Sequence, residues 1–275
     1  MTYAKDVLVS TSWLEEHLAD PELRIVEVDE NPALYAEAHI PGAIGFDWKL
    51  DLQDQVRRDF LDQEAFGALL GSRGISNAHT IVLYGDRNNW FAAYTYWYLK
   101  YYGHDAVKLL DGPREKWIGE GRPTTKVVVE HAPRVFTADR PDESIRAHRH
   151  EVIAALGGPT KLVDVRSPQE YSGELIAMPG YEQEGAQRAG HIPGAHSIPW
   201  AKAVREDGTF KPADELRELY SGVLNGDPII AYCRIGERSA HTWFVLHELL
   251  GKDDVKNYDG SWTEWGNLVD VPIER

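Results

Sequence analysis

The one cysteine in these 275 residues, Cys233, lies in the run Tyr232-Cys233-Arg234-Ile235-Gly236-Glu237-Arg238-Ser239. A cysteine attacks as the thiolate, and a free thiol ionises near pH ~8.5. A tight loop entering a helix turns successive backbone N–H groups inward, and the helix N-terminus adds roughly half a positive charge at the same place. Arg234 and Arg238 add two whole charges around Gly236. The pattern predicts a thiol drawn down into the range of about 3.5–7.5 and a cradle that receives an anionic substrate. A lone cysteine is more often a small buried hydrophobe. Buried arginines need partners, however, and two of them within five residues of the thiol favour the nucleophile.

Elements on either side must hold this loop. Ile229-Ile230-Ala231-Tyr232 reads as a short buried strand, and Ser239–Leu250 as a helix. Leu162–Val165 reads as a second strand and Ala213–Leu224 as a second helix. Short, fully apolar strands between helices imply a mainly parallel sheet covered on both faces.

The same arrangement is written twice. His39-Ile40-Pro41-Gly42-Ala43 returns as His191-Ile192-Pro193-Gly194-Ala195, and Arg24–Asp29 returns as Lys161–Arg166. Ile81–Tyr84 returns as Ile229–Tyr232, Gly103-His104 as Gly251-Lys252, and Asp111-Gly112 as Asp259-Gly260, each 148 residues later (84 to 232, 103 to 251, 111 to 259). A repeat of this length is a duplicated α/β domain of roughly 120–130 residues, not a solenoid unit. The expected division is 1–123 for an inactive copy, 124–140 for a linker carrying Pro133, and 141–275 for a catalytic copy. Lys126–Glu130 is apolar enough to be expected to pack rather than dangle.

The copies differ at the chemistry. Gly85 stands opposite Cys233, Asp86 opposite Arg234 and Trp90 opposite Arg238, so the first copy has no nucleophile and no arginine pair. Trp90 and Phe91 are candidates for an apolar wall facing the active loop, or simply for filling the first core. From Asp29 to His39 is 10 positions, whereas from Arg166 to His191 is 25. The extra stretch, within 173–190, reads either as a binding loop or as a tolerated insertion.

Composition narrows the partners. A net charge of -15 argues against nucleic acid or an anionic membrane, both of which need a basic face. No run approaches the ~18 apolar residues of a membrane span. The N-terminus lacks the apolar core of a secretory signal. A lone free thiol suits a reducing compartment, so a cytoplasmic protein is expected. His148-Arg149-His150 lacks a further cluster at ligand spacing, and neither a metal nor another cofactor is expected.

These residues resemble the rhodanese family, and within it two-domain thiosulfate sulfurtransferases of the actinobacterial type. The resemblance spans essentially the whole chain. It rests on the two HIPGA repeats, the strand end Asp164-Val165-Arg166-Ser167, the loop Cys233–Ser239 and the closing Tyr258-Asp259-Gly260-Ser261-Trp262. It implies two tandem rhodanese-like domains, each a mainly parallel sheet flanked by helices, with the active site in the cleft between them. It also implies a Cys233 persulfide that carries the sulfane sulfur of thiosulfate to cyanide or a thiol and releases sulfite. Arg234 matches the second loop position of thiosulfate users, where mercaptopyruvate users more often have glycine. Ile235 stands where some thiosulfate users have lysine. Where some members carry a substrate-binding arginine after the central strand, this chain has Glu170, with Arg166 four residues earlier.

The substrate-binding set expected from this reading is Arg234, Ile235, Gly236, Glu237, Arg238, Arg166, Trp90 and Phe91, around Cys233 as nucleophile. Backbone N–H groups from Ile235 to Arg238 should line the cradle. The arginines could instead form outward salt bridges with Glu237 or Glu248. Asp164 and Arg166 either orient the loop arginines or make an ordinary ion pair. His39 and His191 read as structural, since the inert copy keeps its histidine. The partners expected are a small anionic sulfur donor and a nucleophilic acceptor, with the chain a monomer. Rival activities are transfer from 3-mercaptopyruvate, a cysteine-dependent phosphatase and a non-catalytic sulfur carrier. The phosphatase loop is one residue longer than the five-step spacing from Cys233 to Arg238.

Overall fold

The apolar runs pair into two all-parallel sheets in the computed structural model, which describes residues 2–182 and 185–275. The first sheet has five strands, β1 (Leu8–Val9), β2 (Leu23–Val28), β3 (Ile44–Phe46), β4 (Thr80–Tyr84) and β5 (Val107–Leu110), in the order β1-β5-β4-β2-β3. The second has four, β6 (Lys161–Asp164), β7 (His196–Ser197), β8 (Ile229–Tyr232) and β9 (Val255–Tyr258), in the order β7-β6-β8-β9. The two orders superimpose element by element once β1 is set aside. Its place beside β9 is taken by a single parallel bridge between Arg146 and Asn257. Helices run between successive strands, as parallel connections require.

The chain divides into two compact units. One holds residues 7–142 with 205–210; the other holds the N-terminal residues through Asp6 with 143–204 and 211–275. The 124–140 stretch groups with the first unit. Thr125 bridges His39, the Arg134 amide donates to Gly71 O, and Phe136 is buried edge-on to Phe66. Val127, Val128 and Val129 remain exposed, so this part of the stretch does not pack as its apolarity suggests.

Matched residues repeat the same local devices. The buried Tyr84 and Tyr232 hydroxyls accept the Ile40 and Ile192 amides at 2.9 and 3.1 Å. His39 stacks on Tyr35 and His191 on Tyr171, with Nδ1 donating to the carbonyl of the same tyrosine at 2.7 and 2.8 Å. These ties fix the turn before each Pro-Gly. In the second unit Leu162, Ile192, Ile230, Tyr232, Tyr258, Trp262 and Trp265 form a core on which the loop after β8 rests.

Two helices differ from expectation. The helix from Ala213 ends at Leu219, because Ser221-Gly222 follows and favours a turn. The helix after Cys233 begins at Glu237, two residues early, and widens into π geometry over Phe244–Leu249. Among the described residues no helix is long and apolar enough to cross a membrane.

Candidate functional site

Strand order reverses direction between β6 and β8, and ligands of open parallel sheets bind beyond the carboxyl ends of strands at such a point. Cys233 is the first residue after β8. Its amide donates to Ser261 Oγ at 3.0 Å, and Ser261 Oγ donates to Tyr258 O at 2.6 Å. The Trp262 and Thr263 amides, at the start of the helix Ser261–Trp265, hold the Cys233 and Arg234 carbonyls at 3.0 Å each. Gly236 sits at φ 100° with its Cα against Asp259. A side chain there would meet the Asp259 Cα and Cβ at 2.7 Å, so only glycine makes this turn. The Gly236 carbonyl accepts Asn257 Nδ2 at 3.1 Å, which ties the loop to β9.

Inside this frame the sulfur has a backbone donor and a carboxylate neighbour. The Gly236 amide donates to Cys233 Sγ at 3.2 Å, and the thiol donates to Glu237 Oε2 at 3.2 Å. The same Oε2 accepts the Ile235 amide at 3.2 Å, and Oε1 takes Arg234 Nη2 at 3.1 Å. Arg238 Nε lies 3.6 Å from Oε1. Of the expected cradle, the Ile235 and Gly236 amides point inward, and Glu237 takes the first with its own carboxylate.

Arg238 is held from elsewhere. Its Nη1 and Nη2 make a two-pronged pair with Glu170 at 3.0 and 3.1 Å. Glu170 lies in the first turn of the helix Pro168–Ser172 in a capping box, in which Ser167 Oγ accepts its amide and its Oε2 accepts the Ser167 amide. Burial alone would raise the Glu170 carboxyl; the Arg238 charge and hydrogen bonds, with the Ser167 amide, hold it at about 2. Both arginines are thus paired inward, at 3% and 2% exposure, and Glu248 pairs with Lys5 instead.

These pairings overturn one expectation. Cys233 is fully buried, and burial followed by the Glu237 charge pushes its thiol up, with Arg238 and the Ser239 donors recovering only part. Charges of two arginines offset by two carboxylates leave little field to lower it. The surroundings push the thiol up rather than down.

The remaining predicted residues lie in different places. Ile235 is buried in the loop and offers its amide to Glu237. Arg166 faces Asp164, with contacts of 2.6–3.2 Å, donates to Gly190 O and stacks over Trp262 at 4.4 Å. It is the ordinary ion pair of a strand end, two residues apart on one side of an extended chain. Trp90 and Phe91 are buried in the first unit, Phe91 stacked on Trp48 at 4.3 Å. In the 173–190 stretch, Arg188 donates to the carbonyls of Trp265, Gly266, Leu268 and Val271. Residues 183 and 184 of that stretch lie outside the described residues. The Arg234 guanidinium lies 4.3 Å over the Tyr181 ring, which brings this stretch to the loop. Among the described residues no group of three or more His, Cys, Asp or Glu is placed to hold a metal ion.

Residue typing of the loop alone missed Glu170 as the partner of Arg238, Tyr181 beside Arg234, and Ser261 behind the thiol. The capping signature Ser167-Pro168-Gln169-Glu170 was available as a signal for where Glu170 points.

At the matching place in the first unit, Gly85 donates to Asn89 Oδ1 at 2.8 Å, and Asn89 Nδ2 donates to Leu110 O and Gly112 O. Asn89 stands where Glu237 stands, 148 residues on (89 to 237). Glu27 and Asp29 face Arg114 there, at 3.5 and 3.9 Å, and Asp86 lies beside Asp29, whose Oδ1 accepts its amide at 2.8 Å. Burial raises all three carboxyls, Asp86 to about 7.

The rhodanese-like domain pattern matches residues 10–120 and again 148–268, and the chain belongs to the rhodanese family. A protein of Mycolicibacterium smegmatis, provisionally named a thiosulfate sulfurtransferase, is 59% identical over 98% of both chains. The sulfur carrier protein TtuD of Thermus thermophilus is 57% identical, over 100% of this chain and 99% of its own. Among solved structures, the 3-mercaptopyruvate enzyme SseA of Escherichia coli matches with a TM-score of 0.78 at 25% identity, over 95% of this chain and 99% of that one. A cysteine-persulfide form of EanB with ergothioneine matches with a TM-score of 0.84 at 25% identity, over 97% of this chain and 70% of that one.

Proposed function

We propose that the chain is a sulfurtransferase that takes the sulfane sulfur of thiosulfate onto Cys233 and passes it to cyanide or a thiol. The observation that carries this is the nucleophile's setting: Sγ under the Gly236 amide, with two buried guanidinium groups on the same short loop. Cys233 thiolate attacks the outer sulfur, the bond to the sulfonate breaks, and its electron pair leaves on sulfite. An acceptor then attacks the terminal sulfur and restores the thiolate. This is a two-step covalent scheme. The departing group is a stable anion, so the protein's task is to stabilise negative charge with donors already in place. Arg234 is the sulfonate-binding group, because its partner Glu237 is also a neighbour of the sulfur. Arg166 is paired with Asp164, and Trp90 and Phe91 are buried in the first unit, so this reading rests on the loop residues.

A second reading is a carrier that holds the persulfide for a protein acceptor, favoured by the 57% identity to TtuD. A 3-mercaptopyruvate enzyme is a third, favoured by the likeness to SseA. Steady-state assays with thiosulfate and 3-mercaptopyruvate against cyanide separate them. Thiosulfate is expected to be the better donor, and Cys233→Ser to lose all transfer. Equal or better turnover with mercaptopyruvate contradicts the donor assignment. Sulfur loading without turnover on any small acceptor favours the carrier.

A further inference from the structure

We propose that Glu237 is a catalytic residue, the acceptor of the Cys233 proton, and that this single proton movement also vacates the anion cradle for the donor. The inference rests on Cys233 being the sulfur-accepting group.

The geometry has three parts. First, Glu237 Oε2 is 3.2 Å from Sγ, so the proton has an acceptor without any chain movement. Second, Oε2 also accepts the Ile235 amide while Oε1 faces Arg234 and Arg238, so the carboxylate occupies the donors an incoming anion needs. Third, Arg238 Nη1 and Nη2 are held by Glu170 and its Nε lies 3.6 Å from Glu237, whereas Arg234 Nη2 hydrogen-bonds Glu237 at 3.1 Å. Arg234 is therefore the guanidinium whose hydrogen-bonded partner changes charge during the reaction.

The step balances within the loop. The S–H bond breaks and an O–H bond forms on Glu237. The freed pair on Sγ attacks the sulfane sulfur, the bond from that sulfur to the sulfonate breaks, and sulfite leaves with its electrons. Sulfur moves as a neutral atom, so no outside oxidant or reductant is needed. Neutral Glu237 no longer competes for Arg234, which takes up the sulfonate oxygens. When the acceptor removes the terminal sulfur, the thiolate recovers the proton from Glu237 and the starting pair reforms. The inert copy agrees with this role: lacking a thiol, it has Asn89 at this position, an amide that cannot take up the proton.

A rival role makes opposite predictions. If Glu237 only adds negative charge beside the sulfur, removing that charge eases ionisation and speeds attack. Several groups face the sulfur or its near neighbours: Glu237, Arg238 and Ser239 from the helix, Ser261 behind the Cys233 amide, Asp259 against Gly236, and Glu170 through Arg238. None but Glu237 changes in Glu237→Gln.

The test is the first half-reaction, followed as sulfite release in a single turnover, in the parent and Glu237→Gln. The rate constant at saturating thiosulfate should fall by on the order of 10²–10⁴ near neutral pH, as for loss of a general base. KM should not rise, because the Glu237 carboxylate no longer competes with the donor for Arg234, and the deficit should shrink as pH rises and hydroxide removes the proton. Alkylation of Cys233 by uncharged iodoacetamide needs no sulfur donor and should slow at least about tenfold at pH 7. A Glu237→Gln rate equal to or above the parent in both reactions overturns the proposal. Should that variant fail to fold, judged by circular dichroism, Glu237→Asp keeps an acceptor one methylene short. It should retain the parental pH profile at reduced rate, and a pH profile shifted upward overturns the proposal. Failure of the parent to load from any donor would refute the sulfur-accepting reading instead, leaving the alkylation result to judge Glu237 alone.

Discussion

Replacing Glu170 by glutamine should separate the two consequences of the Arg238 pair. The carboxyl is held at about 2 against an ordinary 4.5, a difference of about 2.5 units. At about 1.36 kcal/mol per unit, the pair contributes roughly 3 kcal/mol at pH 7. A contact at the 3.0 and 3.1 Å seen here is consistent with that, since Coulomb's law gives about 4 kcal/mol at 4 Å and an effective dielectric of 20. Losing one partner of a buried pair costs about 3–5 kcal/mol, because the other charge stays buried. For a unit of this size, that lowers the unfolding midpoint by on the order of 10 °C. A carboxyl depressed in the folded state stabilises above its ordinary value and loses that benefit as pH falls from about 5 toward 2. The parent's advantage should therefore shrink to about 2 kcal/mol at pH 3.5. Arg238, released from Glu170, should meanwhile act more strongly on the thiol, moving its titration to lower pH. Calorimetry of both proteins at pH 7 and 3.5 reads the first effect, and thiolate absorbance reads the second. A midpoint drop under about 3 °C, or one unchanged between the two pH values, refutes the reasoning.

Two further outcomes follow from the same geometry. Gly236→Ala places a Cβ 2.7 Å from Asp259 at φ 100°; it should cost at least about 2 kcal/mol by thermal unfolding and abolish sulfur loading, and a normally loading variant would contradict the turn's role. In the first unit the Glu27, Asp29 and Asp86 carboxyls are raised, so their contribution is present below about pH 4 and is lost as pH rises through 7 and beyond. Asp29→Asn keeps an acceptor for the Asp86 amide while removing one charge, and should gain on the parent by about 1–3 kcal/mol between pH 6 and 9 in thermal unfolding; parallel pH curves would refute this.

Much of this architecture is legible in the residues. The duplicated HIPGA turns and apolar strands give two parallel α/β domains, and β8 spans Ile229–Tyr232 as read. Cys233 and its arginines are close in sequence, so their proximity needs no knowledge of the fold. What surrounds their charges does need it. Glu170 is 68 residues from Arg238, and only the reversal of strand order between β6 and β8 brings them together. Glu237 is visible in the loop, but the direction of its side chain depends on the left-handed turn at Gly236. That is why counting nearby cations predicts a lowered thiol, while burial and the Glu237 charge in the folded loop push it up. Arg166 shows the opposite case: Asp164, two residues away on the same strand end, explains its place without any substrate.

The central claim is that Cys233 accepts a sulfur atom and gives it up. Intact-mass measurement of the whole protein, first with thiosulfate and then with cyanide, tests it directly. The account predicts a gain of one sulfur atom, absent in Cys233→Ser, and a return to the starting mass with thiocyanate formed. An unchanged mass after thiosulfate and 3-mercaptopyruvate alike, or a gain that persists in Cys233→Ser, would contradict it.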